Sequence, residues 1–188
     1  MISALKSYWN YGKTISSVEI TSVDGAEWLF GFAAKKRKDE FEDLDFIASD
    51  SFSGLGEKLG KNRHIYLMIN TDKVLIKALP HNSNVQNLVS QAFPDLSYSE
   101  FYYDVHQVGD QSYISICRKD DVLNILDQAE KEGLNVIGFQ LGFSSLVKIL
   151  PNLNDGRVVS SRHQFEISNG KIISFSSISD PWESYQID

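Results

Sequence analysis

The sequence predicts an α+β domain with a strand–helix–strand–strand block in its middle. Three observations carry this expectation. Apolar residues recur with a spacing of two over several short stretches and with spacings of three and four over others, the marks of half-buried strands and of amphipathic helices. Turn dipeptides separate these stretches: Asp24-Gly25, Gly109-Asp110 and Asn169-Gly170. Of the 188 residues, 42% are apolar and 23% charged, a balance that supports a packed core and excludes wholesale disorder.

The elements follow in order. Residues 2–11 suggest a short helix carrying Leu5, Tyr8 and Trp9. Val18 and Ile20 then alternate with polar neighbours, Asp24-Gly25 turns the chain, and Trp28-Leu29-Phe30-Gly31-Phe32 returns it. The run Lys35-Lys36-Arg37-Lys38 is followed by Asp39, Glu40, Glu42, Asp43 and Asp45, which reads as a solvated charged turn. A third strand near Phe41–Ala48 would complete an antiparallel meander. Ser51 or Ser53 caps a helix with Phe52, Leu55 and Leu59 on one face. His64–Asn70 is a continuous apolar run, expected as a strand buried on both faces.

The second region is better marked. Val74–Leu79 reads as a strand. Ser83 or Asn84 caps a helix with Val85, Leu88, Val89 and Ala92 at helical spacing, and Pro94 ends it. Phe101–Val108 and Tyr113–Cys117 form a hairpin across Gly109-Asp110. Asp120 and Asp121 open the next helix, where carboxylates suit the helix dipole, and Gly133 stops it. Its stripe of Val122, Leu123, Ile125, Leu126 and Ala129 needs a sheet to bury it. The three strands are therefore expected in one sheet, with both helices on one face. Val136–Gln140 gives a short strand, and Phe143–Leu150 a helix that Gly142-Phe143-Ser144-Ser145 caps. Gln164–Ile167 and Lys171–Phe175 form a last hairpin around Asn169-Gly170.

Charge and cysteine content exclude several function classes. A net charge of −7 leaves no phosphate-neutralising surface, so no nucleic-acid binding is expected. Cys117 is the only cysteine, which rules out an internal disulfide, and it lies in an apolar strand where an inert buried thiol is expected. No apolar run approaches the roughly 18 residues of a membrane span. A cytoplasmic setting without direct membrane insertion is the expectation.

Catalytic signatures are missing as well. Gly54-Leu55-Gly56-Glu57-Lys58-Leu59-Gly60 has the wrong spacing for a dinucleotide fingerprint or a P-loop. His64, His81, His106 and His163 are scattered, with no i,i+4 pair for a metal. No Gly-x-Ser-x-Gly elbow occurs. Catalytic, cofactor and metal sites are accordingly expected to be absent. The cluster Tyr98, Phe101 and Tyr103 has two readings: aromatic strands commonly pack within the core, and tyrosine is enriched where proteins meet, which makes these three the candidate partner-binding site.

Several of these pieces together resemble PilM-like and GspL-like proteins, the actin-like assembly components of bacterial pilus and secretion machines. Val74-Leu75-Ile76-Lys77-Ala78-Leu79-Pro80 is similar to the family's strand ending in leucine-proline. Gln91-Ala92-Phe93-Pro94 is similar to its helix end, and Phe101-Tyr102-Tyr103-Asp104-Val105 to its aromatic strand. Arg118–Val136 resembles the helix and glycine-leucine turn that follow. The likeness covers about 80 residues.

The resemblance implies an actin-like, ribonuclease H-like half interrupted by an inserted strand–helix–strand–strand (SHS2-like) module. Residues 1–72 would form the first ribonuclease H-like part and 73–135 the module. Residues 136–188 would return to the core and open the second half. It implies a non-catalytic cytoplasmic scaffold of a type IV pilus or type II secretion-like machine. Its partners would be the cytoplasmic tail of an inner-membrane assembly protein and an assembly ATPase. Nucleotide-binding members carry an Asp-x-Gly phosphate loop after the first strand. Here Asp24-Gly25 lacks that spacing, and Ser160-Ser161-Arg162-His163 stands where the second loop is expected. The alternative, an actin-like ATPase or nucleotide-dependent switch, would need an unfamiliar loop. The two-half architecture also leads to the expectation that the gene product is longer by one further domain of roughly 100–200 residues.

Overall fold

The computed structural model describes residues 14–37, 40–60, 62–149 and 152–178. The helix expected over residues 2–11 lies outside them. Eleven strands and four α-helices follow one another among the described residues. They are β1 (Thr14–Val23), β2 (Ala26–Arg37), β3 (Glu40–Ser49), α1 (Phe52–Leu59), β4 (Arg63–Asn70), β5 (Leu75–Pro80) and α2 (Val85–Ala92). A 3-10 turn (Tyr98–Glu100) leads to β6 (Phe101–Val108), β7 (Gln111–Arg118), α3 (Lys119–Lys131) and β8 (Leu134–Leu141). The chain closes with α4 (Ser144–Ile149), β9 (Gly156–Val159), β10 (His163–Ser168) and β11 (Lys171–Ser177). The strands form three sheets: β3-β2-β1-β4-β8, β5-β7-β6 and β11-β10-β9.

Packing divides the chain into two compact units. The first takes Met1–Ile20 (described from Thr14), Glu27–Met68 and Asn124–Phe139, and holds most of the five-stranded sheet. The turn at Asp24-Gly25 has φ of 49° and 78°, the left-handed pair that a tight hairpin between β1 and β2 demands. Ser51 caps α1 by accepting a hydrogen bond from the Gly54 amide at 3.3 Å. The helix lies so close to β2 that a Cβ on Gly31 would meet Leu55 Cδ1 at 2.9 Å. Val18, Leu29, Leu55, Leu59, Ile65 and Leu67 are buried in this unit.

Two expectations are corrected in this unit. The charged run is not a long turn: β2 extends through Arg37 and β3 begins at Glu40, with Lys35 opposite Glu42 in register. Alternation of sign across an antiparallel pair suits a ladder as well as a loop. The second correction concerns α3. Its residues from Asn124 onward belong to this unit rather than to the module sheet. The chain must come back to β8, the neighbour of β4, and the helix end is tied there when the Asn62 amide donates to the Gly133 carbonyl at 2.8 Å.

The second unit takes Thr21–Ala26, Ile69–Leu123 and Gln140–Asp188 (described to Ile178). Its first sheet is the strand–helix–strand–strand block: β5, α2, β6 and β7 in chain order, with β7 in the middle. The three strands share a sheet as expected. Asn84 caps α2 through a 3.1 Å bond from the Asn87 amide. Leu88, Val89, Ala92 and Phe93 then pack on Ile114 and Ile116 of β7. The other sheet, β11-β10-β9, buries Phe165, Ile167 and Ile172 against Val108, Tyr113 and Phe143.

Strand β9 was not foreseen, since four residues containing glycine and arginine give no periodic signal. Within the segment expected to cap α4, Ser144 is the helix's first residue, and its hydroxyl donates back to the Leu141 carbonyl at 2.6 Å. The turn before it depends on Gly142, whose φ is +59° and whose missing Cβ would lie 2.7 Å from Ile76 Cδ1.

Candidate functional site

Alternation along a strand decides which side chains of the module share a face. Phe101, Tyr103 and Val105 of β6 stand opposite Arg118, Ile116 and Ile114 of β7, and α2 packs on this face. Because α2 is only eight residues long, it leaves part of the sheet open. Between the helix and β6 lies a tight apolar groove lined by Val89, Phe93, Leu96, Tyr98, Phe101, Tyr103 and Ile116. All three residues singled out from the sequence border this groove. Tyr98 and Tyr103 are 40% and 42% exposed, while Phe101 is half-buried.

Two cations rest on the aromatic walls. Lys77 Nζ lies 4.9 Å from the Phe93 ring centroid and donates to the Ala92 carbonyl at 2.7 Å, closing the end of α2. The Arg118 guanidinium lies 5.6 Å from the Phe101 ring. The opposite face of β6 is taken up differently. Lys119 sits 5.6 Å from the Tyr102 ring, and an Asp104 carboxylate oxygen accepts from the Leu141 amide at 2.7 Å. The groove is therefore an open apolar surface with polar and charged groups around it, suited to holding side chains rather than to bond-breaking chemistry.

A second, polar corner lies where the nucleotide loops were sought. The Asn70 side-chain amide donates to Ser161 Oγ at 2.7 Å, and Thr21 Oγ1 donates to the Asn70 carbonyl at 3.2 Å. Ser22 Oγ donates to an Asp72 carboxylate oxygen and accepts from the Asp72 amide, each at 3.2 Å. Burial lowers the pKa of Arg162, and Asp72 partly restores it. The hydroxyls of Thr21, Ser22 and Ser161 and the Asn70 amide are thus bonded within the protein, whereas the buried Thr71 hydroxyl has no hydrogen-bond partner among the described residues. The link between Asn70 and Ser161, 91 residues apart, carries no sequence signal.

The histidines occupy separate places. His81 Nδ1 is 3.0 Å from Ser112 Oγ, and His64 and His106 are half-buried. His163 is buried among Phe143, Phe165 and Phe175, and desolvation, reinforced by Arg162, pushes its pKa down to about 4. Cys117 is buried, and its thiol is pushed up to about 11 by burial first and Asp121 second, which keeps it protonated and inert. Among the described residues no group of three or more histidine, cysteine or acidic side chains is placed to hold a metal ion. No helix among them is long and apolar enough to cross a membrane.

No protein-family model matches the sequence, and no curated protein does. Solved structures do resemble it. One is the cytoplasmic domain of EpsL, an inner membrane component of the type II secretion system of Vibrio cholerae. The two align over 88% of this chain and 71% of that one, with a TM-score of 0.56 and 11% identity. Another is a chain of a PilM-PilN type IV pilus biogenesis complex, aligned over 93% of this chain and 66% of that one, with a TM-score of 0.56 and 10% identity. The chain thus spans about two thirds of the length of these structures. At such low identity the likeness concerns the fold alone. The fold is an α+β architecture similar to that of these two structures, and it contains the strand–helix–strand–strand block from β5 to β7.

Proposed function

We propose that this chain is a non-catalytic scaffold of a pilus or secretion-type assembly, and that its inserted module holds the cytoplasmic tail of an inner-membrane partner. The groove between α2 and β6 carries this reading. It is apolar, it is open, and two tyrosines with about two fifths of their surface exposed stand at its rim. Tyrosine at such a place offers a large contact area for little loss of side-chain entropy. The two structural relatives, the cytoplasmic domain of an inner-membrane secretion component and a pilus biogenesis complex, support the setting and a cytoplasmic location at the membrane. An assembly ATPase is proposed as the second partner. The division into residues 1–72, 73–135 and 136–188 remains part of the proposal.

Cytoplasmic tails of inner-membrane proteins encoded beside this one provide the test. A tail should bind the purified protein, and Tyr103→Ala or Tyr98→Ala should weaken it about tenfold or more, the loss typical of a central interface aromatic. Both residues are exposed, so melting temperatures should stay near the parent's. Silence from every tail, or equal binding by both variants, would overturn the reading.

The polar corner supports the non-enzymatic part of the proposal, because the hydroxyls of Thr21, Ser22 and Ser161 bond to the protein itself. Millimolar magnesium-ATP should therefore leave the thermal midpoint where it was. Ligand at a hundred times its dissociation constant stabilises a protein by about 2.7 kcal/mol, so a clear rise would instead reveal micromolar binding and favour the ATPase or switch.

A further inference from the structure

The sheet face that meets α2 is wider than the helix laid on it. Cross-strand register puts Leu75, Ile116 and Tyr103 in one row across β5, β7 and β6, with Arg118 opposite Phe101 in the next. Ile116 is buried beneath α2, yet Leu75 and Tyr103 on either side of it are 51% and 42% exposed. Open apolar residues flanking a buried one form a continuous strip rather than scattered exposure. Beside that strip, in the next row on the central strand β7, stands Arg118, itself exposed.

The cations nearby differ in what occupies them. Lys73 pairs with Asp121 at 3.1 Å, and Lys77 is bonded to the Ala92 carbonyl. Arg118 forms no ion pair with a carboxylate among the described residues. Its guanidinium carbon lies 5.6 Å from the centre of the Phe101 ring, one wall of the groove. A guanidinium that has no carboxylate partner of its own suits a planar anion, and the bidentate fit to a carboxylate is the strongest it makes. Asp95 and Glu100 are exposed beside Leu96 and Phe101, and they disfavour a second negative charge near the Tyr98 turn.

We propose that the partner of this groove is an extended peptide carrying an aspartate or glutamate. Its apolar side chains lie on the exposed Leu75 and Tyr103 of this sheet face, and its carboxylate reaches Arg118. The proposal rests on the reading of the groove as a peptide site and adds the chemistry of the occupant.

Three short fluorescein-labelled peptides test it, each with leucine and phenylalanine beside one variable position that holds glutamate, glutamine or lysine. Fluorescence anisotropy at low salt should rank glutamate first, about five- to tenfold tighter than glutamine, with lysine last. Added salt should narrow the gap. Arg118→Glu, an exposed change expected to keep the parent's melting temperature, should reverse the order so that the lysine peptide binds best. Tyr103→Ala should weaken all three peptides alike. Equal affinity for the three, still lost in Tyr103→Ala, would overturn the carboxylate proposal and leave the groove reading standing. No binding by any peptide, or binding indifferent to Tyr103→Ala, would overturn both.

Discussion

Phe165→Ala should lower the unfolding free energy by about 3–5 kcal/mol, the usual cost of truncating a buried phenylalanine. Phe165 is fully buried at the centre of an aromatic cluster, with the Phe143 ring 4.8 Å away edge-on and the Phe175 ring stacked at 6.4 Å. The cluster around it draws residues from β5, β6, β7, β9, β11 and α4, so the space cannot close by moving one side chain. Since domains of this size have only about 5–15 kcal/mol of stability, the variant should populate unfolded chains at moderate temperature. Urea denaturation measures it, with Phe165→Leu as the milder comparison. A loss below about 1 kcal/mol would mean that this cluster does not hold the second unit together.

Acid should weaken the protein through His163. Its pKa is about 4 in the folded state against an ordinary value of 6.5, chiefly because the ring is buried and secondarily because Arg162 is adjacent. Between those values the unfolded chain binds a proton that the folded chain refuses. The stabilising contribution is therefore complete above pH 6.5 and is lost as pH falls through the window toward 4. Discounted for the part of the ring that water reaches, the loss is on the order of 2–3 kcal/mol. His163→Phe keeps a planar ring in the aromatic cluster and has no proton to gain. Stability measured at pH 7 and pH 4.5 should drop less in the variant than in the parent. Equal slopes would show that other groups carry the acid sensitivity.

Where the sequence was legible, a local rule had a local cause. Asp24-Gly25, Gly109-Asp110 and Asn169-Gly170 all turned as expected, because positive φ at those places suits few other residues. The caps Ser51 and Asn84 were readable for the same reason. The block from β5 to β7 stood out because its two periodicities switch cleanly at Pro80 and Pro94.

The misses needed information from far along the chain. The partner sheet of α3 is set by where β8 must return, which its own apolar stripe cannot express. Strand β9 exists because β10 offers it a ladder, with Phe165 opposite Val158. At the groove, Tyr98, Phe101 and Tyr103 could be named from aromatic clustering. Arg118 could not, since only the register of β6 against β7 brings it over Phe101.

The inserted block also bears on how the chain closes its largest loop. Strands β4 and β8 are neighbours in the five-stranded sheet, yet everything from β5 through α3 lies between them in sequence. Bringing the ends of a flexible loop together costs entropy that grows with the logarithm of its length. The first and last strands of the block, β5 and β7, are themselves paired, with Leu75 opposite Ile116. Once that pairing exists, the chain leaves and re-enters at nearly the same point, and the stretch left to close shrinks to a few residues before β5 and the single helix α3. Lengthening the hairpin between β6 and β7 or the turn after α2 would leave that remaining span unchanged. The host sheet is thereby insulated from changes of size in the very part of the chain that carries the groove.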